Sequence, residues 1–253
     1  MRLQELFETT EEDRALISLS SAIYSKLQPY IGNHTSEEIV NIGKIGDMFD
    51  TPVEILDNVS IEIQGGESFL ERAEDKPIKD IVKDSKAKVF AFWEAETDTI
   101  VLNVEYLSEP RMRTTITHEL RHALDEYKSG SFPASPRNPD PANINKYFTP
   151  KKKEHKKNTL ASPAEINARF VEILDVLSTS IIPRSLKLPT NEIRPKVMND
   201  LKHLFVKYDI AKFFPEETKS NDYKRLIKRA VDFIDKELSH NGVFYPKSTP
   251  NLG

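Results

Sequence analysis

Between residues 112 and 127 the apolar side chains recur with the spacing of a helix that is buried on one side only. Met112, Ile116, Leu120, Ala123, Leu124 and Tyr127 share one stripe at about 100° per residue. Ser108-Glu109-Pro110 supplies a cap, an early acid and an early proline at the start, and Gly130 supplies the stop. A helix of this kind needs another layer of structure to cover its stripe. Its opposite side carries His118 and His122, one turn apart on a single face. These histidines are therefore not core residues. They face a cleft or solvent, and the chain has to fold around that helix in a way that keeps them there.

Two imidazoles at i and i+4 can reach one metal ion at about 2.0–2.1 Å. Glu119, within the same His118-Glu119-Leu120-Arg121-His122 run, cannot easily ligate that ion. It stands beside it, within reach of a water molecule that it can deprotonate. The chain has no cysteine, which excludes disulfides and thiolate sites and leaves His, Asp and Glu as metal ligands. Asp125 lies on the histidine side of the helix and is placed to hydrogen-bond a ligand histidine from behind.

The surrounding pattern predicts an α+β chain. A helix is predicted over 11–28, with Thr10 as its cap, an apolar face of Ala15, Leu16, Leu19, Ile23 and Leu27, and Pro29 as its stop. Short helices are predicted after Ser36 and after Thr51-Pro52. Val59–Ile63 alternates as a half-buried strand does and ends at Gly65-Gly66. Lys88–Trp93 and Thr99–Val104 are further strands, and the polar connection Glu94–Asp98 makes them a hairpin. After the histidine helix come a Pro-, Asn-, Ser- and Lys-rich stretch over 131–160 and helices over 163–179, 191–206 and 221–239, with a loose tail from Tyr245. The reading divides the chain into an N-terminal helical region (1–58), a core (59–180) and a C-terminal helical region with its tail (181–253), with one compact domain overall as the alternative.

Over roughly residues 88–175 the chain resembles the zincin superfamily of zinc metallopeptidases. The resemblance rests on His118-Glu119-x-x-His122 and on the strand-like Thr99–Val104 before it. In that fold an edge strand above the active-site helix binds the substrate backbone by strand addition. The metzincin pattern is excluded, because Asp125 and Lys128 occupy the places of its Gly and His. The gluzincin type, which takes a Glu from a later helix, points to Ser162-Pro-Ala-Glu-Ile-Asn-Ala-Arg169. Its local pattern looks like that of short peptidases from bacteria and phages, with Glu165 as third ligand and Ala168 allowing close helix approach. Ser162 and Glu165 also form a capping box, and Glu172, His155 and Asp140 are alternative ligands. Arg169 stands where the thermolysin-like pattern has an Asp. The resemblance implies Zn2+ on His118, His122 and Glu165, Glu119 as general base, and Tyr147, His155 or Arg169 as oxyanion donor.

The implied function is a zinc metalloendopeptidase of narrow specificity acting on an intracellular or viral protein. The alternative is a catalytically silent zincin-fold module that binds a partner or serves in an assembly. The N-terminus lacks a secretory pattern and no apolar run approaches the length of a membrane span, so the expected setting is the cytoplasm, an infected cell or a virion, without membrane partners. Residues 1–110 hold 23 acidic and 10 basic side chains, and residues 111–253 hold 17 and 26. That asymmetry reads as two solvated faces or as a docking surface for a charged partner. Lys151–Lys157 is a basic run that can meet an acidic partner or serve as a lid. Without interleaved aromatics it reads as a solvated loop rather than a nucleic-acid site.

Overall fold

The computed structural model describes residues 10–32, 39–74, 88–129, 163–208, 210 and 221–244. The chain is α+β and divides into two compact units, Met1–Val171 and Glu172–Gly253.

In the first unit α1 spans Thr10–Leu27, followed by a 3-10 turn at Gln28–Tyr30 where Pro29 ends the helix. β1 is Val40–Lys44, β2 Ser60–Gln64, α2 Gly66–Glu74, β3 Ala91–Glu94 and β4 Thr99–Asn103. α3 is Met112–Ser129 and α4 begins at Pro163, running to Val176 across the unit boundary. The sheet has the order β1-β2-β4-β3. β1 is antiparallel to β2, β2 is parallel to β4, and β3 closes the antiparallel hairpin with β4. The predicted hairpin is present. Its strand nearest the helix in sequence, β4, is interior and buried at every position, and β3 is the edge.

Strand alternation sorts the side chains into two layers. Ile61, Ile63, Ile100 and Leu102 join Leu16, Leu19, Ile23 and Leu27 of α1 and Met112, Ile116, Leu120, Ala123 and Leu124 of α3 in the main core. The other sheet face carries Phe92 and Val101, covered by Phe69 and Ala73 of α2. On that face Arg72 reaches Glu62 at 2.8 Å and also bonds Gln64 and Glu94, tying α2 across β2, β4 and β3. α1 and α3 are further joined by a buried hydrogen bond from Thr117 to Ser20 at 2.7 Å.

Several local expectations give way to tertiary structure. The predicted helix after Ser36 begins outside the described residues, and Val40–Lys44 is a strand instead. A bulge between Asn41 and Gly43 breaks its alternation, with Gly43 at φ 126°, a value that L side chains rarely adopt. After Pro52 only a 3-10 turn forms, at Glu54–Leu56, before the chain enters β2. α3 starts at Met112 because residues up to Arg111 make tight turns, such as Glu109 N–H to Tyr106 O at 3.0 Å. The 131–160 stretch and the tail after Phe244 lie outside the described residues.

The second unit is helical. After α4 come a π-type turn at Leu177–Ile181, a short helix at Ile182–Ser185, α5 at Thr190–Lys207 and α6 at Asn221–His240. Val197, Leu201 and Leu204 of α5 and Leu226, Ala230, Phe233 and Leu238 of α6 are buried. Arg194 pairs with Asp235 at 2.9 Å between the two helices. Among the described residues no helix is long and apolar enough to cross a membrane.

Candidate metal centre

The phase of α3 sets the site. Its apolar stripe is buried against the sheet and α1, which turns His118 and His122 away, with side chains 16% and 23% exposed. α4 brings Glu165 to them. Glu165 Oε2 lies 3.5 Å from His118 Nε2 and 3.3 Å from His122 Nε2, and the two imidazole nitrogens are 3.0 Å apart. Ala168, fully buried one turn after Glu165, leaves room for the close approach.

These three separations bear on what the cluster can hold. Ligands at about 2.0–2.2 Å from a tetrahedral zinc stand about 3.3 Å from one another. The three donor atoms therefore sit near the spacing of three corners of such a site. Two neutral nitrogens and a carboxylate oxygen are also the donor chemistry of a catalytic zinc that keeps a fourth position open. Among the described residues this is the one group of three or more His, Cys, Asp or Glu side chains close enough to share an ion.

Glu165 is held on its other oxygen by Arg169, whose Nε–H donates to Oε1 at 2.7 Å. Burial pushes the Glu165 carboxyl up, but the hydrogen bonds and charge of His118 and His122 outweigh it and hold the group well below the usual carboxylate range. The carboxylate is thus aimed at the two rings.

Glu119 sits beside the cluster, 8% exposed. Its Oε2 accepts the backbone N–H of Trp93 at 2.9 Å. The hairpin register explains that donor. Asn103 N–H donates to Phe90 O at 2.8 Å, so the alternation of paired and outward residues turns the N–H and C=O of Ala91 and Trp93 away from β4. The outer edge of the sheet thus faces α3. Burial raises the Glu119 pKa above the ordinary value, opposed by His118 and His122 and by the Trp93 amide, and reinforced by Glu165. The Trp93 indole Nε1–H donates to Glu126 Oε2 at 2.7 Å, one turn beyond His122.

The remaining predicted residues fall as follows. Asp125 is buried and bonds Asn167 Nδ2 at 2.8 Å and Arg121 Nη2 at 2.6 Å, so it joins α3 to α4 instead of backing a histidine. Arg169 bonds Glu165. Glu172 is buried in the second unit. Tyr147, His155, Asp140, Ser162 and the 151–157 lysine run lie outside the described residues. Sequence reasoning missed Trp93, Asn167 and Arg121. Arg121 sits inside the histidine motif, 1% exposed, with Nη1 3.1 Å from Glu12 and 3.9 Å from Asp13 of α1.

No protein-family model, curated protein or solved structure matches the chain.

Proposed function

We propose that the chain is a zinc-dependent metallopeptidase of the gluzincin type within the zincin superfamily. The observation that carries this reading is the trio of donor atoms on His118, His122 and Glu165, 3.0, 3.3 and 3.5 Å apart, with the Glu119 carboxylate beside it. When bound there, zinc supplies Lewis acidity that lowers the pKa of water and polarises a carbonyl.

The chain's own residues supply the rest. Glu119 accepts a proton from the attacking water and delivers it to the leaving amine. The Trp93 amide fixes one Glu119 oxygen and leaves the other for the proton. The outward backbone groups of Ala91 and the Trp93 C=O offer an extended peptide a place to add as a strand beside α3. Arg169 holds Glu165 rather than standing free as an oxyanion donor, so its role in this reading is to orient a ligand.

The substrate proposed is an intracellular or viral protein cleaved with narrow specificity. The test is metal analysis of the purified protein with His118→Ala alongside, followed by hydrolysis of a broad peptide library. About one zinc per chain that disappears in the variant, together with cleavage, supports the reading. A metal-free wild type sinks it. Zinc without cleavage of any peptide favours a partner-binding module on the same site.

A further inference from the structure

The position of Glu165 depends on how α4 is rolled about its own axis. At about 100° per residue, Glu165 and Asn167 stand on opposite flanks of a strip formed by Ala168 and Val171. Both strip residues are fully buried, and Val171 packs into the core that α3 helps to build. One flank of α4 meets α3 through Glu165 and the two histidines. The other flank meets it through Asn167, whose Nδ2 donates to Asp125 Oδ2 at 2.8 Å in a buried contact.

Burial of the apolar strip between the flanks is non-directional, so it selects the roll less sharply than a hydrogen bond of fixed length does. The Asn167 bond is of that kind. Its acceptor is itself fixed: Asp125 Oδ1 takes Arg121 Nη2 at 2.6 Å, and Arg121 is anchored on Glu12 of α1. Asn167 and Arg121 are each 1% exposed and Asp125 is 5% exposed. Side-chain tips stand about 5–6 Å from a helix axis, so a 20° roll moves one by about 2 Å. That equals a whole zinc–oxygen bond.

We infer that Asn167, acting through Asp125, is the positioning residue that sets Glu165 as a metal ligand. The inference rests on the metal reading above and goes beyond it: affinity for zinc is governed by a residue that is not one of the three ligands. The pair fixes the roll of α4, and the roll fixes the third ligand.

The experiment is a double-substitution cycle on zinc affinity, measured by competition with a chromogenic chelator on the full chain at a temperature where every variant is folded by circular dichroism. Asn167→Ala is expected to weaken zinc binding roughly tenfold to hundredfold, the range for groups that orient metal ligands. In a Glu165→Ala background the same change is expected to have no further effect, because the residue it positions is gone. A merely structural role would not show that dependence. Unchanged affinity in Asn167→Ala, or an equal loss in both backgrounds, overturns the inference. Asn167→Ser, which keeps a short donor and tolerates burial, is read in the same way if the alanine variant does not fold. A wild-type chain that takes up no zinc instead overturns the metal reading itself, an outcome distinct from the other two.

Discussion

The Glu119 carboxylate on α3 accepts the backbone N–H of Trp93 on β3 at 2.9 Å, so the edge of the sheet and the face of the helix meet at one acid. The contact uses a main-chain donor, which cannot be removed by changing the Trp93 side chain. It therefore keeps Glu119 in place while leaving that side chain free to bond Glu126.

Glu119→Gln follows directly. Glutamine keeps an oxygen for the Trp93 amide and nearly the same volume, so the fold and zinc content are expected to stay. What it loses is the ability to take a proton. Peptide hydrolysis should fall about 10²- to 10⁴-fold, the usual contribution of a positioned acid–base group. Metal content and turnover measured on the same preparation check this. Turnover within threefold of wild type would remove Glu119 from the mechanism.

Metal removal should act on stability as well as on activity. A ligand that binds only the folded state adds RT ln(1 + [L]/Kd), about 4 kcal/mol at a thousandfold excess over Kd. For a unit of this size that is on the order of ten degrees in melting midpoint. Chelator-treated protein should melt lower, recover with added zinc, and match His118→Ala, which should respond to neither treatment. Scanning calorimetry with and without zinc gives the comparison.

How much of this could be read from the sequence depends on whether a feature is local. The α3 stripe, the placement of His118 and His122 opposite it, and the hairpin are all set by spacing within a few residues, and all are present. β1 was hidden because its bulge at Asn41–Gly43 breaks the period of two. α2 was hidden because Gly65-Gly66 reads as a break, whereas Gly66 at φ 61° lets the chain turn straight from β2 into a helix. At the site, Glu165 arrives from a helix far along the chain, and spacing alone left it competing with a cap. Its orientation is explained by its neighbours: the two rings across the helix pair, which the motif itself marks, and Arg169 one turn on, whose bond to Glu165 in place of an oxyanion role only the structure reveals. Trp93 contributes a backbone N–H, which carries no residue-type signal at all. Only the edge position of β3 reveals it.

Arg121 shows why a charged residue sits on the inner side of the histidine helix. Its guanidinium, 1% exposed, meets Glu12, Asp13 and Asp125, two of them from α1. Lys128 joins Glu12 on the same seam. Arg121→Met removes the cation and leaves buried carboxylates facing one another, a loss expected to cost about 3–5 kcal/mol. Arg121→Lys should recover only part of it, since one ammonium cannot replace a planar fork with several partners. Urea unfolding of the zinc-free proteins measures both. A loss under 1 kcal/mol in Arg121→Met would mean that the acids are already compensated by other groups.

Glu126 gives a pH dependence whose sign can be worked out. Burial raises its pKa above the ordinary carboxylate value, more than the Trp93 indole bond and the charge of His122 lower it, with Glu96 and Asp98 adding to the rise. A carboxyl whose pKa is higher in the fold than in the unfolded chain favours folding when protonated. Its contribution is whole below the unfolded value, about 4.3, and is lost as pH rises through the higher folded value. Glutamine at this position keeps an oxygen for the indole and does not ionise. Glu126→Gln should therefore match wild type in acid and become the more stable of the two as pH climbs towards neutrality. Because the comparison is between two proteins at each pH, titration of every other group largely cancels. Paired thermal melts of the zinc-free proteins from pH 4 to pH 7.5 test it, and a gap that narrows with rising pH would reverse the assignment of burial as the dominant cause.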